Sequence, residues 1–237
     1  MNTRNFNEIN NFQLLSKDWW DEEGPFRLLH AMTPLRMEFL REKIKLYFEI
    51  KKTSDKGTEI FCENSLPIEQ EQKKIFEGIR ILDVGCGGGV LSEPLARLGA
   101  SVIGIDVVED NLKEARKHAE EQGLLIEYLA YAIEDLPHDF PKVDVIVASE
   151  VLEHVDHPKD FLKACASLLK DKGGIFFSTL NKTFRSYVLG IIAAERIFRW
   201  VPTGTHSWEK FISPYLLSKE LQLLDFFHQD VKGVCLS

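Results

Sequence analysis

A doubly wound α/β domain is predicted, with a parallel sheet carrying helices on both faces. Two observations point to it. From Arg80 onward, short apolar runs alternate with segments of helical periodicity, the order that repeated β-α-β units require. Glycines punctuate the turns, above all in Gly85-Cys86-Gly87-Gly88-Gly89, directly after the first apolar run. Ligands of such sheets bind beyond the carboxyl ends of the strands, where the strand order reverses.

The elements follow in order. Ile81 to Val84 is a short buried strand, and Val90 to Leu98 a helix stopped by Gly99. Val102 to Ile105 is a second strand ending in Asp106, and Asn111 to Gln122 a helix ended by Gly123. Ile126 to Ala130 and Val143 to Ala148 are the third and fourth strands. Pro158 to Lys170 is a helix closed by Gly173-Gly174, and Ile175 to Thr179 the fifth strand. Upstream, Phe12 to Phe48 has a helical pattern broken near Gly24-Pro25 and Thr33-Pro34. Pro34 is suited to open a helix with Thr33 as its N-cap. Leu35, Phe39, Leu40 and Ile44 then fall on one face. Residues 51–76 turn polar and read as an insertion or linker. The expected organisation is a helical cap over 1–50, a linker over 51–77 and a core over 78–237.

At 237 residues and 44% hydrophobic, the chain can bury one sizeable core with decoration. A net charge of −8 disfavours nucleic acid as a partner. Cys62, Cys86, Cys165 and Cys235 form no C-x-x-C pair. Neither a zinc site nor a disulfide framework is suggested, and a reducing, cytoplasmic setting is expected. Met1 to Asn11 has no apolar stretch of a secretory signal. No run approaches the about 20 apolar residues that span a bilayer.

The turn Asp83-Val84-Gly85-Cys86-Gly87-Gly88-Gly89 lacks Cβ atoms where a bulky ligand would need to approach the backbone. A phosphate-binding P-loop would need Gly-Lys-Ser/Thr here, which is absent. A dinucleotide fingerprint would need a third glycine where Val90 stands. The D-x-G-x-G form, with an acid before the loop, is that of class I methyltransferases. The plainer reading is a tight strand-to-helix turn. Asp106, about 20 residues on, can accept hydrogen bonds from both hydroxyls of a ribose, or else cap a helix. Together these features favour an adenosyl ligand, and S-adenosylmethionine over NAD. Apolar and backbone contacts to the adenine are expected near Ile133.

After the fourth strand comes Ser149-Glu150-Val151-Leu152-Glu153-His154. If it turns helically, Glu150, Glu153 and His154 share one face. They could then hold a divalent cation, Mg²⁺ by the carboxylates. The alternative is a solvated turn with His154 satisfied by a backbone carbonyl. A metal would suit methyl transfer to a phenol, whose pKa of about 10 makes it a poor nucleophile near neutral pH. A cation on two adjacent phenolic oxygens favours the phenolate and orients it.

Several blocks together resemble the ubiquinone-biosynthesis O-methyltransferases. They are Trp19-Trp20-Asp21 with Gly24-Pro25-Phe26, Leu29-His30 and Pro34-Leu35-Arg36; the glycine turn; Glu150 to Val155; Phe177-Ser178-Thr179-Leu180-Asn181; and Val201-Pro202-Thr203-Gly204-Thr205-His206. The resemblance covers roughly 12–48 and 78–233. It implies a Rossmann-like class I methyltransferase sheet that uses S-adenosyl-L-methionine to methylate polyprenylated catechol-type precursors, a polyprenyl hydroxyphenol and a demethylubiquinol. It implies cofactor contacts from Arg36, Gly85, Gly87, Asp106 and the backbone near Ser149, with Glu150, Glu153 and His154 on Mg²⁺. Arg36 suits the methionyl carboxylate, although a surface helix charge is its other reading. Trp19, Trp20 and His206 would be lid and substrate-pocket residues. Phe184 to Trp200 looks amphipathic, suited to lie on the membrane that holds a lipid substrate or to pack as a lid. Membership of a ubiquinone-biosynthesis protein complex is a further expectation.

The chain departs from the family in three places. Thr33 replaces Asn, the 51–76 stretch is longer, and the sequence ends at Val234-Cys235-Leu236-Ser237 where the family continues into a hairpin. The C-terminal strands are therefore expected to be incomplete, leaving an unpaired edge. Two other readings stay open on these grounds: another small-molecule methyltransferase, or a truncated assembly subunit without catalysis.

Overall fold

The computed structural model describes residues 13–56, 74–179, 212–227 and 230–233. The elements are α1 (Arg27–Lys56), β1 (Arg80–Val84), α2 (Ser92–Arg97), β2 (Ser101–Asp106), α3 (Glu109–Glu121), β3 (Glu127–Ala130), β4 (Val143–Ser149), α4 (Pro158–Leu168), β5 (Leu169–Ser178) and α5 (Pro214–Gln222). Short 3-10 turns lie at Ser16–Asp18, Ile133–Asp135 and Leu152–His154.

The five strands run in the order β3-β2-β1-β4-β5, and every pairing is parallel. The order reverses between β1 and β4. The carboxyl ends of those two strands therefore flank the crevice where ligands of such sheets sit. The register aligns Val84 with both Ile105 and Ala148, and Ser149 with Ser178. Gly85, Asp106, Ser149 and Ser178 thus reach one end of the sheet, at the carboxyl ends of its strands.

Strand side chains alternate between faces, and each face has its own core. Leu82, Ile103, Ile146 and Ala148 pack with Phe161, Leu162 and Cys165 of α4. Ile81, Val102, Val145 and Val147 pack on the other face with Leu91, Leu95, Phe76 and the α1 residues Leu40 and Ile44. Ile81, Leu82, Ile44 and Phe76 are all fully buried. Each such side chain contributes about 1.5–3 kcal/mol by leaving water. α5 adds Leu217 and Leu221 to the first core.

The upstream elements differ from expectation. Pro34 lies inside α1 rather than at its start. Thr33 does not cap; its Oγ1 donates back to the Leu29 carbonyl at 2.8 Å. The interior proline carries a local penalty of about 3 kcal/mol, set against the burial of Leu40 and Ile44 further along the helix. Of the expected apolar face, Leu40 and Ile44 are buried, but Leu35 is half exposed. Met37 and Phe48 take the inward positions beside them. The helix continues past residue 50 to Lys56. At the far end of the supposed linker, Phe76 is core, and its N–H donates to the Leu98 carbonyl at 2.9 Å. The lid or membrane helix expected over 184–201 and His206 lie outside the described residues. Among the described residues, no helix is long and apolar enough to cross a membrane.

Candidate functional site

The glycine turn leaves β1 with a left-handed backbone, φ +66° at Gly85 and +54° at Gly87. L residues with a Cβ resist that region. Space adds a second requirement. A Cβ on Gly85 would lie 2.6 Å from Val151 Cγ2, and one on Gly87 would lie 2.3 Å from the Trp19 ring. The turn does not feed straight into a helix, since α2 begins only at Ser92 and is six residues long.

Asp83 does not face a ligand. Its buried carboxyl accepts the Ser92 hydroxyl at 2.5 Å and ties β1 to α2 beneath the turn. Burial pushes its pKa up to about 7, the Ser92 hydrogen bond opposes this, and the Asp106 charge adds to it.

Asp106 closes β2 and is 9% exposed. Its Oδ2 accepts the Gly87 N–H at 2.9 Å, and its Oδ1 accepts the Val108 N–H at 2.8 Å and weakly the Asn111 amide at 3.5 Å. Its helix-cap reading is not what forms, because α3 has Val108 as its N-cap with no side-chain cap. Instead the carboxylate staples the glycine turn to β2. Burial raises its pKa, and the backbone donors of Val108 and Gly87 oppose the rise.

Asn111 is a site residue that sequence reasoning missed. Its Oδ1 accepts the Trp19 Nε1–H at 2.9 Å. Trp19 is buried and stacks on Phe26 at 3.8 Å, and its carbonyl accepts from His30 Nε2 at 2.7 Å. Trp20 Nε1–H donates to the Gly88 carbonyl at 3.0 Å, and its ring stacks on His118 at 3.5 Å. His118 Nδ1 in turn pairs with the buried Glu93 at 2.6 Å. The Trp19-Trp20 pair is thus a wall fastened to the glycine turn from two directions.

At the end of β4, Glu150 takes a left-handed backbone at φ +56°, and the next turn is 3-10. The expected α-helical face of Glu150, Glu153 and His154 therefore does not form. Among the described residues, no three His, Cys, Asp or Glu side chains gather to hold a metal ion. Glu150 Oε1 accepts from Arg36 Nη2 at 2.7 Å and from the Ser178 hydroxyl at 2.9 Å. Ser178 and Ser149 hydroxyls share a hydrogen bond of 2.8 Å. Glu153 is buried; its Oε2 accepts from Thr179 at 2.9 Å, and its Oε1 has no donor among the described residues. Burial first, and the Glu150 charge second, push its pKa well up.

Arg36 is no surface charge. Its side chain is 10% exposed, and its Nε and Nη1 are buried without hydrogen-bond partners among the described residues. Ile133 is buried in the core cluster with Leu82, Val84 and Phe161. A shallow groove at Arg80, Ser101 and Glu127 lies at the opposite, amino-terminal end of the strands and holds none of these groups.

The methyltransferase-domain family matches residues 82–177. Ubiquinone biosynthesis O-methyltransferase of Roseobacter denitrificans is 43% identical over 87% of this chain and 76% of its own length. That of Ruegeria pomeroyi is 42% identical over 98% of this chain and 86% of its own. Among solved structures, magnesium protoporphyrin IX methyltransferase from Synechocystis PCC 6803 with bound SAH superposes with a TM-score of 0.50. It is 22% identical, over 68% of this chain and 78% of that one, a likeness of fold. At the level of its relatives' identity and coverage, the chain belongs to the ubiquinone biosynthesis O-methyltransferase family.

Proposed function

We propose that this chain transfers the methyl group of S-adenosylmethionine to a phenolic oxygen of polyprenylated catechol-type precursors in ubiquinone biosynthesis. Family membership supports the reaction, and one observation in the site carries the cofactor reading. A buried arginine with two nitrogens unpartnered among the described residues, Arg36, belongs to the same end of the sheet as the glycine turn and Asp106. Buried N–H donors without partners call for an acceptor, and the cofactor's methionyl carboxylate supplies one. Gly85 and Gly87 let the cofactor approach the backbone. Asp106 Oδ2 has one donor and keeps acceptor capacity for a ribose hydroxyl. The backbone near Ser149 lines the crevice from β4.

Transfer is an in-line displacement. The phenolic oxygen forms a bond to the methyl carbon as the sulfur–carbon bond breaks, leaving a thioether, and the phenol's proton passes to water. Holding the oxygen about 3 Å from the methyl carbon removes much of the entropic barrier.

A two-carboxylate site completed by water is what Mg²⁺ would take here. Glu150 and Glu153 would hold it, and the Glu153 oxygen without a donor is the observation that favours this. Bound there, it would lower the phenol's pKa and orient the adjacent oxygens. His154 is kept in this proposal only as the family's implied third ligand. A polyprenylated acceptor calls for work at a membrane surface, with the amphipathic sequence of 184–200 as its contact or as a lid, and for association with other enzymes of the pathway.

The test is transfer of labelled methyl from S-adenosylmethionine to a polyprenyl catechol, with and without Mg²⁺. Labelled product on the prenylated acceptor is expected. Product only on short, water-soluble catechols would favour another small-molecule methyltransferase. No product on any acceptor at any metal concentration would refute the proposal.

A further inference from the structure

We infer that Glu150 is a positioning residue for Arg36. It holds the guanidinium so that a remaining nitrogen, Nε or Nη1, meets the carboxylate of the adenosyl cofactor. This rests on the cofactor reading above.

Three observations carry it. Arg36 comes from α1 and Glu150 from the end of β4, 114 residues apart, and they meet at 2.7 Å. Glu150 is itself held on both sides, its N–H on the Ser178 carbonyl at 2.8 Å and its Oε1 by the Ser178 hydroxyl at 2.9 Å. Its backbone also stands at φ +56°, where non-glycine residues are strained. Strain of this kind persists when the surroundings over-determine it, and here it aims a carboxylate at one arginine.

The stoichiometry of donors gives the direction of the effect. Glu150 engages Nη2 alone, leaving Nε and Nη1 buried and without partners among the described residues. Glu150 therefore orients the guanidinium without occupying the nitrogens a ligand would use. A planar guanidinium can serve two carboxylates at once. The methionyl end of the cofactor is then read across the junction of α1 and β4, and α1 belongs to the site as well as to the core.

The experiment compares two ligands by calorimetry on the full chain, with EDTA present to remove divalent ions. S-adenosylhomocysteine carries the carboxylate; 5′-methylthioadenosine lacks it. Glu150→Ala should weaken S-adenosylhomocysteine about 10- to 100-fold, the usual scale for losing an orienting partner of a binding group. It should leave 5′-methylthioadenosine within about twofold. Glu150→Gln, which keeps an acceptor oxygen, should recover most of the loss. Arg36→Ala combined with Glu150→Ala should be no weaker than Arg36→Ala alone, since both act through one contact.

If Glu150→Ala does not fold, Ser178→Ala removes the hydroxyl that holds Glu150 and should give the same selective loss on a smaller scale. Equal weakening of both ligands, additive losses, or tighter S-adenosylhomocysteine binding in Glu150→Ala would each overturn the inference while leaving the cofactor reading intact. A wild-type chain that binds neither ligand would refute the cofactor reading, and this inference with it.

Discussion

Asp83→Asn should change how stability depends on pH. Asp83 is 2% exposed, and its pKa is about 7 against an ordinary 3.8. Below pH 3.8 the carboxyl is protonated in both the folded and unfolded chain and costs nothing. Between 3.8 and 7 the unfolded chain gives up the proton while the folded chain keeps it, so this group's contribution falls as pH rises. Each pH unit in that window is worth about 1.4 kcal/mol, so the full cost above pH 7 is about 4 kcal/mol. Asparagine keeps the shape and an acceptor for Ser92, and removes the ionisation. A buried amide N–H lacking a partner would cost about 1–3 kcal/mol at every pH, which moves the curve without tilting it. The measurement is urea unfolding followed by circular dichroism from pH 4 to pH 8.5, for both proteins. The stability of Asp83→Asn relative to wild type should climb through that window and level off above pH 7. A difference that stays flat with pH would refute a neutral, buried Asp83 beneath the glycine turn.

Three other outcomes follow from the site and the core. Gly87→Ala places a methyl 2.3 Å from the Trp19 ring at a left-handed backbone position; it should cost about 1–3 kcal/mol and displace Trp19, read as a red shift in tryptophan emission. Asp106→Asn should weaken S-adenosylhomocysteine and 5′-methylthioadenosine alike, by about tenfold or more for a lost charged hydrogen bond, because both carry the ribose; calorimetry separates this from a carboxylate-selective defect. Ile44→Ala, at a fully buried position of α1, should destabilise the protein by about 2–5 kcal/mol in denaturant unfolding, whereas Leu35→Ala on the exposed side should stay near neutral.

The strands and their connecting helices were legible because each announces itself locally. An apolar run such as Ile103 to Ile105 or Val145 to Ala148 needs only its own neighbours to be read as a strand, and Gly99 and Gly123 mark where helices end. Side chains facing the core in α1 were legible by half: Leu40 and Ile44 are buried, and Leu35 is not. Local propensity at Thr33-Pro34 favours a helix start, yet the helix runs through the proline. Phe76 looked like part of a polar linker because its neighbours are polar, although it is fully buried.

In the site, the sequence by itself determined which chemistry is on offer. It put a glycine turn after one strand and acids after two others, because strand ends and turns are encoded by residues next to one another. The tertiary structure alone decided who meets whom. Asp106 grips the Gly87 N–H, Trp19 finds Asn111, and Arg36 reaches Glu150 from 114 residues away. It also withheld the helical face expected of Glu150, Glu153 and His154, since Glu150 turns left-handed. Such pairings depend on how strands register and helices dock, and no local pattern of residues records that distance in the chain.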